Sequence, residues 1–316
     1  MFRFAAPQRT FQIGRVKIGG QPGELPTVLV GSIFYKGHRI IKDQQKGTFD
    51  KSTAEKLVKD QEELADITGN PCILDVVVSS VGAIEKQLDF ISTVTDTPII
   101  FDAWPLRVRT EGLCYLREIG LTERIIYNSI SPATRQEEVE AIKEAKVRAA
   151  ILLAYDFSNP WAAGLLAAIR GSSKKKGLLT LAEEADITKP LVDNSVTSLP
   201  SIGISARAIW IVKNEFGYPA GCGAANATTR WKMPKKKWGD ATFKACSASA
   251  QTATLVMGAD FLMYGPIESS SWIFPAAAAI DSIVATAAKE LGTEPATREH
   301  PIYKLFPKIS KEMEKR

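Results

Sequence analysis

The sequence is poor in the residues that build metal centres. Its 316 residues include 2 His and 4 Cys. Cys72, Cys114, Cys222 and Cys246 are widely scattered and form no C-x-x-C pair. A tetrahedral zinc site needs closely spaced ligands and a disulfide-stapled domain needs denser cysteine, so both are excluded. The thiols read as free and buried, in a reducing cytosol. His38 and His300 are too few for a multi-histidine centre, and His38, just past a strand, reads as loop packing ahead of a site role. Long apolar runs are also missing. No stretch is read as reaching the roughly 18 apolar residues of a membrane span, and the run 274–288 is interrupted by Asp281. The opening MFRFAAPQRTFQIGRVKIGG has neither the apolar core nor the cleavage site of a signal peptide. These absences lead to the expectation of a cytoplasmic protein. No G-x-G-x-x-G follows a strand, and Gly221-x-Gly223 meets Asn226 where a third glycine would stand, so a dinucleotide fingerprint is rejected. A surplus of one charge is lacking too. With 40 Lys+Arg against 35 Asp+Glu, the net charge of +5 is too mild for a dedicated nucleic-acid binder.

What is present is a repeating unit. The apolar fraction of 45% and charged fraction of 24% suit a globular chain. Short apolar or β-branched runs at 27–34, 72–79, 98–103, 124–130, 149–155, 190–196, 218–223 and 261–265 read as strands. Amphipathic segments at 51–68, 83–94, 136–145, 205–216 and 242–257 read as helices between them, the first with a capping box from Ser52 to Glu55. Strands alternating with helices imply a parallel sheet, and eight of them predict a closed (β/α)₈ TIM barrel, a fold of typically about 250 residues. No Pro/Gly/Ser-rich linker divides the chain, so residues 1–316 are expected to form a single domain.

In such barrels the chemistry sits at the C-terminal ends of the strands. Here those ends repeatedly carry Asp or Asn: Asp102, Asn128, Asp156, Asp193 with Asn194, and Asn226 after the seventh strand. Any one of them could simply cap a helix. Together they predict a ring of acceptors and amides with almost no cation inside it. A carboxylate accepts two parallel N–H bonds, so the ring suits a flat neutral heterocycle with a guanidine-like edge, such as a pterin. The segment 228–238, with two Trp flanking a Lys triplet, reads as a solvated loop with apolar anchors, or as a docking edge for an acidic partner. Lys174–Lys176 reads as a solvated loop.

Several long stretches carry a specific resemblance: VKIGGQPGELPTVLVGSIFYKGH (16–38), DQEELADITGNP (60–71), RIIYNSI (124–130), PLVDNSVT (190–197), ADFLMYGPIE (259–268) and GTEP (292–295). Over nearly its full length the chain resembles the family of the H subunit of tetrahydromethanopterin S-methyltransferase. Within that family it looks nearest to the stand-alone bacterial methylcorrinoid:tetrahydrofolate methyltransferases. The resemblance implies a pterin-binding methyltransferase barrel in which Asp102, Asn128 and Asp193 hold the pterin, and Asn226 orients its N5. Asp156 and Asn194 are second members of the site. The implied reaction moves a methyl group between the cobalt of a cobamide, carried by a separate methylcorrinoid protein, and N5 of tetrahydrofolate. It belongs to one-carbon metabolism and the catabolism of methylated compounds such as glycine betaine. A homodimer is also implied. Two alternatives stand beside it: a tetrahydromethanopterin-linked subunit acting within a larger complex, and a dihydropteroate synthase-like enzyme. The latter should carry a Lys at the seventh strand, where this chain offers Asn226.

Overall fold

The computed structural model describes residues 2–173 and 175–313. Eight parallel strands close into a barrel. They are β1 (Val28–Ile33), β2 (Cys72–Val78), β3 (Ile99–Ala103), β4 (Ile125–Ile130), β5 (Ala149–Ala154), β6 (Lys189–Asn194), β7 (Ala220–Cys222) and β8 (Phe261–Pro266). The main helices are α1 (Lys51–Thr68), α2 (Ile84–Val94), α3 (Leu106–Glu118), α4 (Gln136–Ala145), α5 (Ala162–Arg170), α6 (Leu178–Glu184), α7 (Ser201–Phe216), α8 (Met233–Val256) and α9 (Ser270–Lys289). The TIM-barrel expectation holds, and each strand lies within the segment read from sequence or one residue beyond it.

Period-two alternation divides the strand side chains between two cores. Val28, Val30, Ile73, Ile100, Ile126, Ile151, Leu191 and Phe261 point inward and fill the lower barrel. Their outward neighbours, among them Leu29, Leu74, Phe101, Tyr127 and Val192, pack with Leu88, Leu113, Leu116 and Ile142 of the helices. An antiparallel hairpin, Thr10–Ile13 with Val16–Gly19, adds Ile13, Val16 and Ile18 to the inner core. Its turn residue Gly14 lies against Pro98 and Arg124, at the entry to β3 and β4, so the hairpin closes the N-terminal end. The sequence pattern assigns it no element. The opposite end, where the strands finish, stays open.

Several expectations need correction. The N-cap of α1 is Asp50, which accepts from the Thr53 N–H at 2.9 Å, so the Ser52–Glu55 capping box is displaced. The 228–238 segment is not a loop throughout. Helix α8 starts at Met233, with Pro234 in its first turn where a missing N–H costs nothing, and Gly239 bends it. Lys235–Lys237 and Trp238 therefore stand exposed on a helix. Lys175–Lys176 form a short strand with Gly171–Ser172, and Lys174 lies outside the described residues. All four cysteines are free, but Cys114 is exposed and Cys246 half-buried, because only one side of α3 and α8 meets the barrel. A helical stretch at Ile267–Lys289 is long and apolar enough to cross a membrane by length and composition, contrary to the sequence reading, and half of its most apolar window is buried in the fold. Asp281 within it is buried, accepting from the Thr27 N–H and hydroxyl and from Asn70.

Candidate active site

The same alternation that fills the lower barrel with apolar side chains places polar ones two residues further along several strands. Above Ile73 comes Asp75, above Ile100 comes Asp102, above Ile126 comes Asn128, and above Leu191 comes Asp193. These four, with Asn226 from the helical turn Ala225–Thr228, line one cavity of about 1130 Å³ at the open end of the barrel. Ser32, Tyr35, Leu153, Gly223 and Met263 complete much of its wall, and Trp104 and Phe157 stand at its rim, 89% and 91% exposed.

The carboxyls are held in an unusual state by their surroundings. Asp193 is buried, with a backbone contact from Gly223 as its opposing influence, and burial pushes its pKa up to about 7. Its Oδ1 has no hydrogen-bond partner. Asp75 accepts from the Ser32 hydroxyl at 2.5 Å through Oδ2 while Oδ1 is unpartnered. Burial first, and the nearby Asp102 second, raise its pKa well above the ordinary carboxylate range. Asp102 is raised to about 6 by burial, against the pull of the Arg109 guanidinium. Two unsatisfied carboxylate oxygens facing a cavity are costly unless a ligand supplies donors.

Beside Asp102 and Asn128 lies a buried ion pair. Glu138 of α4 accepts from Arg109 of α3 at 2.8 Å and from the Tyr127 hydroxyl at 2.5 Å. Arg109 also donates through Nε to the carbonyl of Ala103 at 2.6 Å.

Of the six residues singled out from sequence, the structure brings four together: Asp102, Asn128, Asp193 and Asn226. Asp156 falls beyond the end of β5 and instead accepts from the Ser158 N–H and hydroxyl, at 2.8 and 2.6 Å, as a turn cap. Asn194 neighbours the inward Asp193 and so points outward by strand alternation, fully buried behind the barrel wall. Neither lines the cavity. Asn226 reaches it from a helical turn rather than a strand end. The near-cation-free ring also needs correction, since Arg109 and Arg135 both line the cavity. Sequence reading missed Asp75, whose signal was a lone carboxylate inside the apolar run CILDVVV. His38 is loop packing: its Nδ1 accepts from the Phe34 N–H at 3.1 Å and its ring stacks on Tyr35.

Fold and site together define a (β/α)₈ barrel with a carboxylate- and amide-lined cavity at its C-terminal end. Solved structures with this fold include dihydropteroate synthase from Yersinia pestis in complex with a sulfonamide drug. It has TM-score 0.60 and 11% identity, over 88% of this chain and all of that one. The Vibrio fischeri synthase has TM-score 0.54 and 13% identity, over 89% of this chain and 98% of the other. At these identities the likeness is one of fold. The family described as tetrahydromethanopterin S-methyltransferase MtrH subunit matches residues 6–296. The H subunit of tetrahydromethanopterin S-methyltransferase from Methanothermobacter thermautotrophicus is 41% identical over 97% of this chain and all of its own length. Its Methanosarcina barkeri counterpart is 39% identical over 96% of this chain. The H subunit of a putative methyltransferase, mtx, from M. barkeri is 36% identical over the same share. The chain belongs to the MtrH family. This corrects two expectations from sequence: the stand-alone methylcorrinoid:tetrahydrofolate methyltransferase, and tetrahydrofolate as its pterin. Relatives matching nearly end to end are named for tetrahydromethanopterin and as subunits, which favours the complex-bound alternative.

Proposed function

We propose that this chain is the pterin-binding methyltransferase subunit of a larger assembly and that its cavity receives a tetrahydromethanopterin-type pterin. The observation that carries this reading is the pair of buried, unpartnered carboxylate oxygens, Asp75 Oδ1 and Asp193 Oδ1, on the cavity wall. A reduced pterin offers a 2-amino group and ring N–H donors along one edge. Asp193 and Asp102 accept from that edge, and Asn128, which both donates and accepts, serves ring positions of alternating character. Asn226, beyond the strand next to that of Asp193, orients N5. No side chain forms a covalent intermediate in this scheme. The protein's contribution is alignment of the N5 methyl group for in-line displacement. The second methyl-bearing centre, a corrinoid on a partner subunit, belongs to this reading through the family resemblance, as does a homodimer, and a single domain over residues 1–316 belongs to it through the barrel and the lack of a linker.

The test mixes the purified chain with N5-methyl-tetrahydromethanopterin and a Co(I) corrinoid under anoxic conditions. Protein-dependent loss of the Co(I) absorbance band is the expected outcome. No pterin-dependent change, or equal turnover with the folate analogue, would overturn the assignment.

A further inference from the structure

The Arg109–Glu138 pair stands outside the pterin-binding residues, yet it is more deeply placed than an ordinary surface ion pair. The Arg109 side chain is 17% exposed and that of Glu138 4%. Its contacts fall at the residues flanking two site positions. Arg109 holds the carbonyl of Ala103, next to Asp102, and Glu138 holds the hydroxyl of Tyr127, next to Asn128. One charged pair, itself on the cavity wall, thus joins the ends of β3 and β4, where neighbouring strands place Asp102 opposite Asn128. A buried guanidinium used only as structural filling is poor economy in stability, since a well-packed apolar pair often does as well.

We propose that Arg109 and Glu138 are positioning residues of the pterin site: the pair fixes the β3–β4 register and biases the Asp102 carboxyl towards its ionised form for the ligand. This rests on the pterin reading above. Arg109 favours the ionised form by attraction, and Glu138 moderates Arg109 by partial neutralisation. The other charged groups around Asp102 are Asp75 on β2, which opposes ionisation, and Asp193 and Arg135 elsewhere on the cavity wall.

Two changes that break the same bridge should then act in opposite senses. In Arg109→Met, Asp102 loses its cation and titrates at higher pH. In Glu138→Gln, Arg109 keeps its full charge and Asp102 titrates at lower pH. Arg109→Lys preserves charge and should stay near wild type. The experiment follows the side-chain carboxyl carbons of ¹³C-aspartate-labelled protein against pH, with Asp102 assigned through Asp102→Asn. Alongside it, tetrahydromethanopterin affinity is measured from pH 5 to 8. The expected result is opposite displacement of the Asp102 titration by about one pH unit each way. The Met variant should bind the pterin about fivefold more weakly near pH 6, where a one-unit rise takes the ionised fraction of Asp102 from about one half to about one tenth. Displacements of the same sign, or none, in folded variants would overturn the proposal and leave the pair purely structural. Opposite displacements without any pterin binding to the wild type would instead uphold the coupling between the pair and Asp102 while overturning the pterin reading.

Discussion

Asp193 holds its proton in the folded protein and releases it readily in the unfolded chain. Burial raises its pKa from 3.8 to about 7, so the folded state binds the proton more tightly. Its contribution to stability is therefore full below about pH 4 and is lost as pH rises towards 7. Replacing it with Asn removes that loss. Asp193→Asn is expected to melt near the wild-type temperature at pH 5 and several degrees above it at pH 8, for a difference of about 2–4 kcal/mol. His300, which burial lowers to about 4, changes stability in the opposite sense, but equally in both proteins. The same substitution should weaken pterin binding at pH 8, because an amide offers one acceptor and a donor where two acceptors are wanted. Parallel melts and titrations of the two proteins check both halves. A variant that binds as wild type does would move the pterin edge away from Asp193.

At the scale of elements, β1 sits beneath a close approach. The outward side of Gly31 faces the Gln61 side-chain Oε1 and the Tyr264 hydroxyl, which donates to that oxygen at 2.5 Å, and a Cβ there would collide with both. Gly31→Ala should cost about 1–3 kcal/mol by overpacking. An unchanged denaturation midpoint would contradict the packing described. Elements of this kind were legible in sequence where alternation is strong. The apolar runs ending in Asp102, Asn128 and Asp193 announce both a strand and the residue that closes it. What escaped follows physical reasons. Leu191 and Asp193 share one side of β6, so Asn194 had to face the other way, a consequence of alternation that a list of polar strand ends does not contain. The N-terminal hairpin has strands of only four residues, too short for a clear periodic signal. Arg109 and Glu138 lie on successive helices, and nothing in local sequence couples them.

For the molecule as a whole, the barrel is closed at one end by its hairpin and open at the other onto three carboxyls whose pKa values burial raises. A ligand whose N–H edge prefers carboxylates must drive off whatever protons they retain. Binding and proton release are then one event, and affinity should rise with pH through 6 and 7. Isothermal titration calorimetry of the wild-type chain with tetrahydromethanopterin at pH 6.5 (roughly midway between the Asp102 and Asp193 values), in buffers of different ionisation enthalpy, measures both at once. The account predicts saturable binding with net release of protons to the buffer, reduced in Asp193→Asn. Absence of binding, or binding with no proton exchange, would contradict it.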